Sequence, residues 1–152
     1  MVQRGKHRIF KGMRLNLFLL SVILVVAGCV HHPDGTSPAD FNGTWEPINE
    51  EMAGTVVPDG FFKDQRLIVL DSNYTVTADR VDKGVVKIAG NKMDIYSREG
   101  VNQGKHFTAI YKFENDLLKI CYNLNGDSYP ENFDTKGKAL FFCSTFKRTT
   151  GN

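Results

Sequence analysis

Three cysteines, four histidines and a scatter of carboxylates carry most of the chemistry available to this 152-residue sequence. Cys29 stands directly after Val26-Ala27-Gly28. The small residues before it give a peptidase access to the preceding bond, and its thiol is a nucleophile suited to forming a thioether. Cys121 and Cys143 are the other two thiols. His31 and His32 adjoin each other in a Pro/Gly/Ser/Thr-rich stretch and read as solvated residues with weak metal affinity at most, while His106 has no partner motif. Glu50, Glu51, Asp59 and Asp64 could pair as acid and base at a pocket mouth, but read first as a solvated rim. Asp127, Glu131 and Asp134 share one loop without the spacing of an EF-hand. The sequence has no Gly-x-Ser-x-Gly elbow, His-Glu-x-x-His helix, Walker loop or paired Cys-x-x-Cys. The expectation is therefore a protein that is not an enzyme, without catalytic residues, metal or cofactor.

What precedes Cys29 decides how its thiol is used. Arg4, Lys6, Arg8, Lys11 and Arg14 come with no acidic residue, and an apolar run from Leu15 to Ala27 follows, interrupted by Asn16 and Ser21. That run is shorter than the roughly 20 apolar residues a helix needs to span a bilayer. It reads as the h-region of a signal sequence behind a positive n-region. The whole arrangement resembles a bacterial lipoprotein signal peptide, residues 1–28, with Cys29 the site of lipidation. An ordinary secretory signal with an incidental cysteine is the alternative. The resemblance implies an envelope protein held to a membrane by a lipid anchor, since two or three acyl chains hold stably where one binds marginally. Val30 stands where inner-membrane retention signals usually carry aspartate. That favours the outer membrane, facing the periplasm, in a Gram-negative host. Loss of the five leader cations changes the formal charge from +2 to about −3. A nucleic-acid partner is not expected.

Residues 29–39 read as a lipidated cysteine and flexible linker, because VHHPDGTSPA buries too little apolar surface to offset its ordering entropy. Residues 40–152 suit one domain with one core. Period-two alternation predicts strands at residues 43–51, 65–70, 74–79, 84–88, 92–97, 105–113, 116–123 and 139–147. Asp71-Ser72-Asn73, Asp82-Lys83, Gly90-Asn91 and Glu114-Asn115 supply turn chemistry between them.

Faces can be assigned strand by strand. Phe107, Ala109, Tyr111 and Phe113 point one way, and Leu118, Ile120 and Tyr122 oppose Leu117, Lys119 and Cys121. Leu140, Phe142 and Phe146 form a third apolar row. Eight strands with one apolar face each can close on themselves and remove every sheet edge. The predicted fold is all-β, an eight-stranded antiparallel up-and-down barrel, with a sandwich as the alternative. Cys121 and Cys143 then lie on the outer face of the last two strands and can bridge in a compatible register; two buried free thiols are the other outcome.

Phe41-Asn42-Gly43-Thr44-Trp45 opens the first strand like the Gly-x-Trp signature of lipocalins. The stretch Ala109 to Tyr122 resembles a hairpin of a widespread bacterial lipocalin-like family of unknown function. The Tyr129-Pro130-Glu131-Asn132-Phe133 corner departs from that family's Arg-Pro-x-x-Phe by a tyrosine. The resemblance implies that Gly43, Trp45 and Arg148 form a structural signature, with Arg148, or Lys147 in its place, stacked on a Trp45 ring that plugs one barrel end. It also implies a carrier for a small apolar or amphipathic ligand, gated by loops at residues 53–64, 99–104 and 125–138. Phe107, Ala109, Tyr111, Leu118, Ile120 and Phe142 are the candidate interior contacts. Nine phenylalanines after residue 28 leave a second option, a barrel filled by its own side chains that serves as an interaction module or inhibitor for an envelope protein partner. Phe61 and Phe62 would then be the contact pair, or else a buried strut.

Overall fold

The computed structural model describes residues 38–149. The expected signal sequence, the expected lipidation site Cys29, His31, His32 and the expected linker up to residue 37 lie outside the described residues. A short 3-10 turn, Pro38–Phe41, leads into nine strands: β1 Gly43–Met52, β2 Thr55–Val56, β3 Arg66–Leu70, β4 Asn73–Thr77, β5 Val81–Ala89, β6 Lys92–Gly100, β7 His106–Glu114, β8 Leu117–Asn123 and β9 Phe141–Arg148. A second 3-10 turn, Asp59–Phe61, lies between β2 and β3. β2 is a two-residue hairpin arm on the end of β1. The other eight strands run antiparallel in sequence order. The sheet closes where β1 pairs with β9, from Trp45 opposite Arg148 to Met52 opposite Phe142. The fold is thus all-β, a closed eight-stranded up-and-down barrel with no free edge among those eight strands.

Local chemistry accounts for the hairpins. Asp71, Asn115 and Asp116 take positive φ of 55°, 51° and 62°, and Gly90 takes 59°; Asn and Asp tolerate this region because their short polar side chains bond locally. Asp82-Lys83 is not a turn. β5 begins at Val81, and the bend falls instead at residues 78–80. A carboxylate survives inside a strand there because Tyr74 Oη (2.8 Å), Ser97 Oγ (2.7 Å) and the Asn102 backbone N–H (3.0 Å) all donate to it.

The core lines the inside of the barrel. Leu67, Val69, Val86, Met93, Ile95, Ala109, Leu118, Ile120 and Phe146 belong to one buried cluster with Phe41, Trp45, Tyr74 and Tyr111. A second, smaller cluster lies on the outer wall, where Ile110, Cys121 and Cys143 are covered by Tyr129 and Phe133. The segment 125–138, within the loop that joins β8 to β9, therefore does not arch over the barrel mouth as expected. It is strapped down the outside. Tyr129 donates to Asp94 (2.7 Å), Thr108 donates to the Ser128 carbonyl, and the fully buried Thr135 binds Glu51 and the Gly54 N–H.

Candidate functional site

One pole of the barrel is sealed. Trp45 and Phe41 are each 1% exposed. The indole N–H donates to the Phe41 carbonyl (2.8 Å), and Phe41 packs on Tyr111 and Phe113 at centroid distances of 4.8 and 5.1 Å. Arg148 lies over the outer face of this plug, its guanidinium carbon 4.1 Å from the Trp45 ring centre. It also donates to the carbonyls of Asn42 and Asp40. Gly43 allows this approach: its φ is +134°, and a Cβ there would sit 2.6 Å from an Arg148 nitrogen.

Above the plug lies a cavity of about 500 Å³. Its walls are mainly apolar, with Leu67, Val69, Val86, Met93, Ile95 and Ile120 prominent, and it reaches the opposite pole at Gln65, Arg66, Asn102, Lys105, Leu124 and Leu140. The barrel is therefore hollow, which corrects the option of an interior filled by phenylalanines. Phe107, Phe142 and Phe146 line the wall, whereas Phe113 belongs to the plug. Of the six expected interior contacts, Phe107, Ile120 and Phe142 border the cavity. Ala109, Tyr111 and Leu118 are core residues that do not, and the Tyr111 hydroxyl is committed to the Gly90 carbonyl (2.8 Å).

The polar lining is what the sequence did not reveal. Glu50 was expected on a solvated rim, yet it is 5% exposed and borders the cavity. A β-bulge between Pro47 and Asn49 explains it. Proline has no N–H to give the ladder and is tolerated at such irregularities. The extra residue leaves Ile48 and Asn49 both exposed and turns the following side chain inward. Among the described residues, the hydrogen-bond partner of the Glu50 carboxylate is Ser144 Oγ on β9, at 3.3 Å. Burial pushes the Glu50 carboxyl above the usual range, and the Ser144 bond offsets only part of that. Tyr122, beside it in the wall, is pushed up by burial and by the Glu50 charge. Asp82 is the second buried acid, held by the three donors named above. Tyr74, one of those donors, is pushed up by burial and by its bond to Asp82.

The other acids do not join them. Glu51 faces outward to Thr135, while Asp59 and Asp64 are exposed. The two bases at the cavity rim are already engaged: Arg66 pairs with Glu46 (2.9 Å) and Lys105 with Asn102 (3.1 Å). Among the described residues no group of three or more His, Cys, Asp or Glu is placed to hold a metal ion. Asp127 is bonded to Asn123, Asn125 and Ser128 instead. His106 binds Asp94 (2.9 Å) on the outer wall and stacks on Tyr96.

Cys121 and Cys143 are directly opposite in the β8–β9 register, with Cα atoms 4.0 Å apart, and form a disulfide. Phe61 and Phe62 do not act as a pair. Phe61 is 76% exposed, whereas Phe62, just past the 3-10 turn, is 3% exposed, because consecutive residues leaving so tight a turn diverge. The shared contact patch expected of them reduces to Phe61 alone.

No protein-family model and no curated protein matches this chain. Among solved structures it is similar to two point mutants of the fluorescent protein UnaG. One is 13% identical, with 74% of this chain and 98% of that chain covered and a TM-score of 0.39. The other is 15% identical, with 74% and 99% covered and a TM-score of 0.38.

Proposed function

We propose that this domain binds a small amphipathic molecule within its barrel and does so as a lipid-anchored protein of the bacterial envelope. The observation that carries the binding role is the cavity of about 500 Å³, closed at the Trp45 pole and open at the other. That volume falls within the roughly 300–1,000 Å³ of small-molecule pockets, which combine apolar walls with a few placed polar groups. Val86, Met93 and Ile95 supply apolar wall on adjacent strands, and Glu50, Asp82 and Tyr122 supply the polar points. A closed barrel holds such a space open cheaply, since its walls are braced by backbone hydrogen bonds around the full circumference. The envelope address rests on the basic-then-apolar leader and Cys29.

Titration of the domain with N-phenylnaphthylamine, a neutral apolar fluorophore, tests the binding role. Saturable enhancement is expected, and Val86→Trp or Ile120→Trp should abolish it by filling the cavity. Absence of saturable binding in the unsubstituted protein would overturn the role. Labelled palmitate entering the full chain, and failing to enter the Cys29→Ala variant, tests the address separately.

A further inference from the structure

The polar groups inside the barrel are arranged by depth, and the arrangement has a sign. Glu50 and Asp82 are the two buried acids that border the cavity, at 5% and 7% exposure. Its two bases, Arg66 and Lys105, stand at the rim. Arg66 is occupied by Glu46 and by the carbonyls of Lys63 and Gln65, and Lys105 by Asn102. The acids differ from each other as well. Asp82 has three donors and is satisfied by the protein, so it is a fixed part of the wall. Glu50 has Ser144 on one carboxylate oxygen, and none of the hydrogen bonds or ion pairs among the described residues uses the other.

Resting on the ligand-binding role proposed above, we infer that the cavity selects a cationic amphiphile, a protonated amine on an apolar chain, with Glu50 as its counter-ion. An ammonium head is a hydrogen-bond donor on every face, which matches an oxygen that can only accept while ionised. Charge-assisted bonds of this kind are stronger than neutral ones, and stronger still away from water. A carboxylate head at the same depth would meet Glu50 and Asp82 with like charge and no free base. Burial at 95% also means that an ionised Glu50 is poorly compensated by the protein alone, so a cationic ligand supplies what the wall lacks. The raised proton affinity of the Glu50 carboxyl is in keeping with that deficit.

Three ligands with one chain and different heads decide the matter: dodecylamine, dodecanol and dodecanoate, each measured by displacement of N-phenylnaphthylamine at neutral pH. The amine should bind about tenfold more tightly than either of the others, a difference of about 1.4 kcal/mol. In Glu50→Gln, checked for folding by near-ultraviolet circular dichroism, that preference should shrink to about threefold or less. Dodecanoate binding as tightly as the amine overturns the inference while leaving the binding cavity intact, as does dodecanol matching the amine or a preference that survives in Glu50→Gln. If the fluorophore binds saturably but none of the three displaces it, this inference is overturned while the cavity role stands; if the fluorophore itself does not bind, both fail.

Discussion

Arg148 and Trp45 face each other across the seam that closes the barrel, the guanidinium 4.1 Å from the ring centre and its two terminal nitrogens on the carbonyls of Asn42 and Asp40. One side chain thereby ties the last strand to the turn that plugs the base. Arg148→Ala should lower stability by on the order of 2 kcal/mol, counting a partly exposed cation–π contact and two hydrogen bonds. Arg148→Lys should recover less than half, since an ammonium cannot reach both carbonyls while stacked. Thermal melts followed by the emission of Trp45, the single tryptophan, read this directly.

Gly43→Ala should cost a similar amount for a different reason. The backbone there has φ of +134°, and the added Cβ would press on an Arg148 nitrogen 2.6 Å away. Strain in that region is about 1–3 kcal/mol for a residue with a side chain. If the clash through Arg148 matters, the loss in the Gly43→Ala, Arg148→Ala double variant should be less than the sum of the two single losses.

Reduction of the Cys121–Cys143 bridge, or the paired Cys121→Ala and Cys143→Ala change, should lower stability by about 3 kcal/mol, given a sequence separation of 22 residues. The loss should have a local signature too. Tyr129 and Phe133 pack on this pair, so backbone amides in loop 124–140 should exchange faster with deuterium before any change at the Trp45 plug.

Glu50 sets the pH dependence of the empty barrel. Its carboxyl is raised by burial, so folding favours the protonated form. The sign follows from linkage: stability is greatest below the unfolded carboxylate value of about 4.3 and declines as pH rises through the higher folded value. Glu50→Gln should therefore be more stable than the parent above that window, by on the order of 1 kcal/mol or about 4 °C at pH 8. The advantage should vanish near pH 4. Melting curves at closely spaced pH values check both ends.

Most of the wall could be read from alternation alone. All eight barrel strands lie close to their expected positions, because each has one face in the core and a slip by one residue would expose it. The places that alternation misplaced share a cause. Glu50 and Asp82 are inward acids, and period-two reasoning treats an acid as outward by default. A bulge beside Pro47 reversed the phase for one, and three donors from β4, β6 and the β6–β7 loop made the other tolerable. Neither the bulge nor those long-range donors is written in the local pattern. Pro47 in the middle of a strand was the available hint of the first. The course of loop 124–140 was equally hidden, since its hydrogen-bonding anchors Asp94, Thr108 and Glu51 are all far away in sequence.

The chain enters the barrel at its sealed base, through the turn Pro38–Phe41. Anything fastened upstream of Pro38 therefore pulls on the plug and not on the rim. Force applied there would load the Trp45–Arg148 clasp before any strand bordering the entrance.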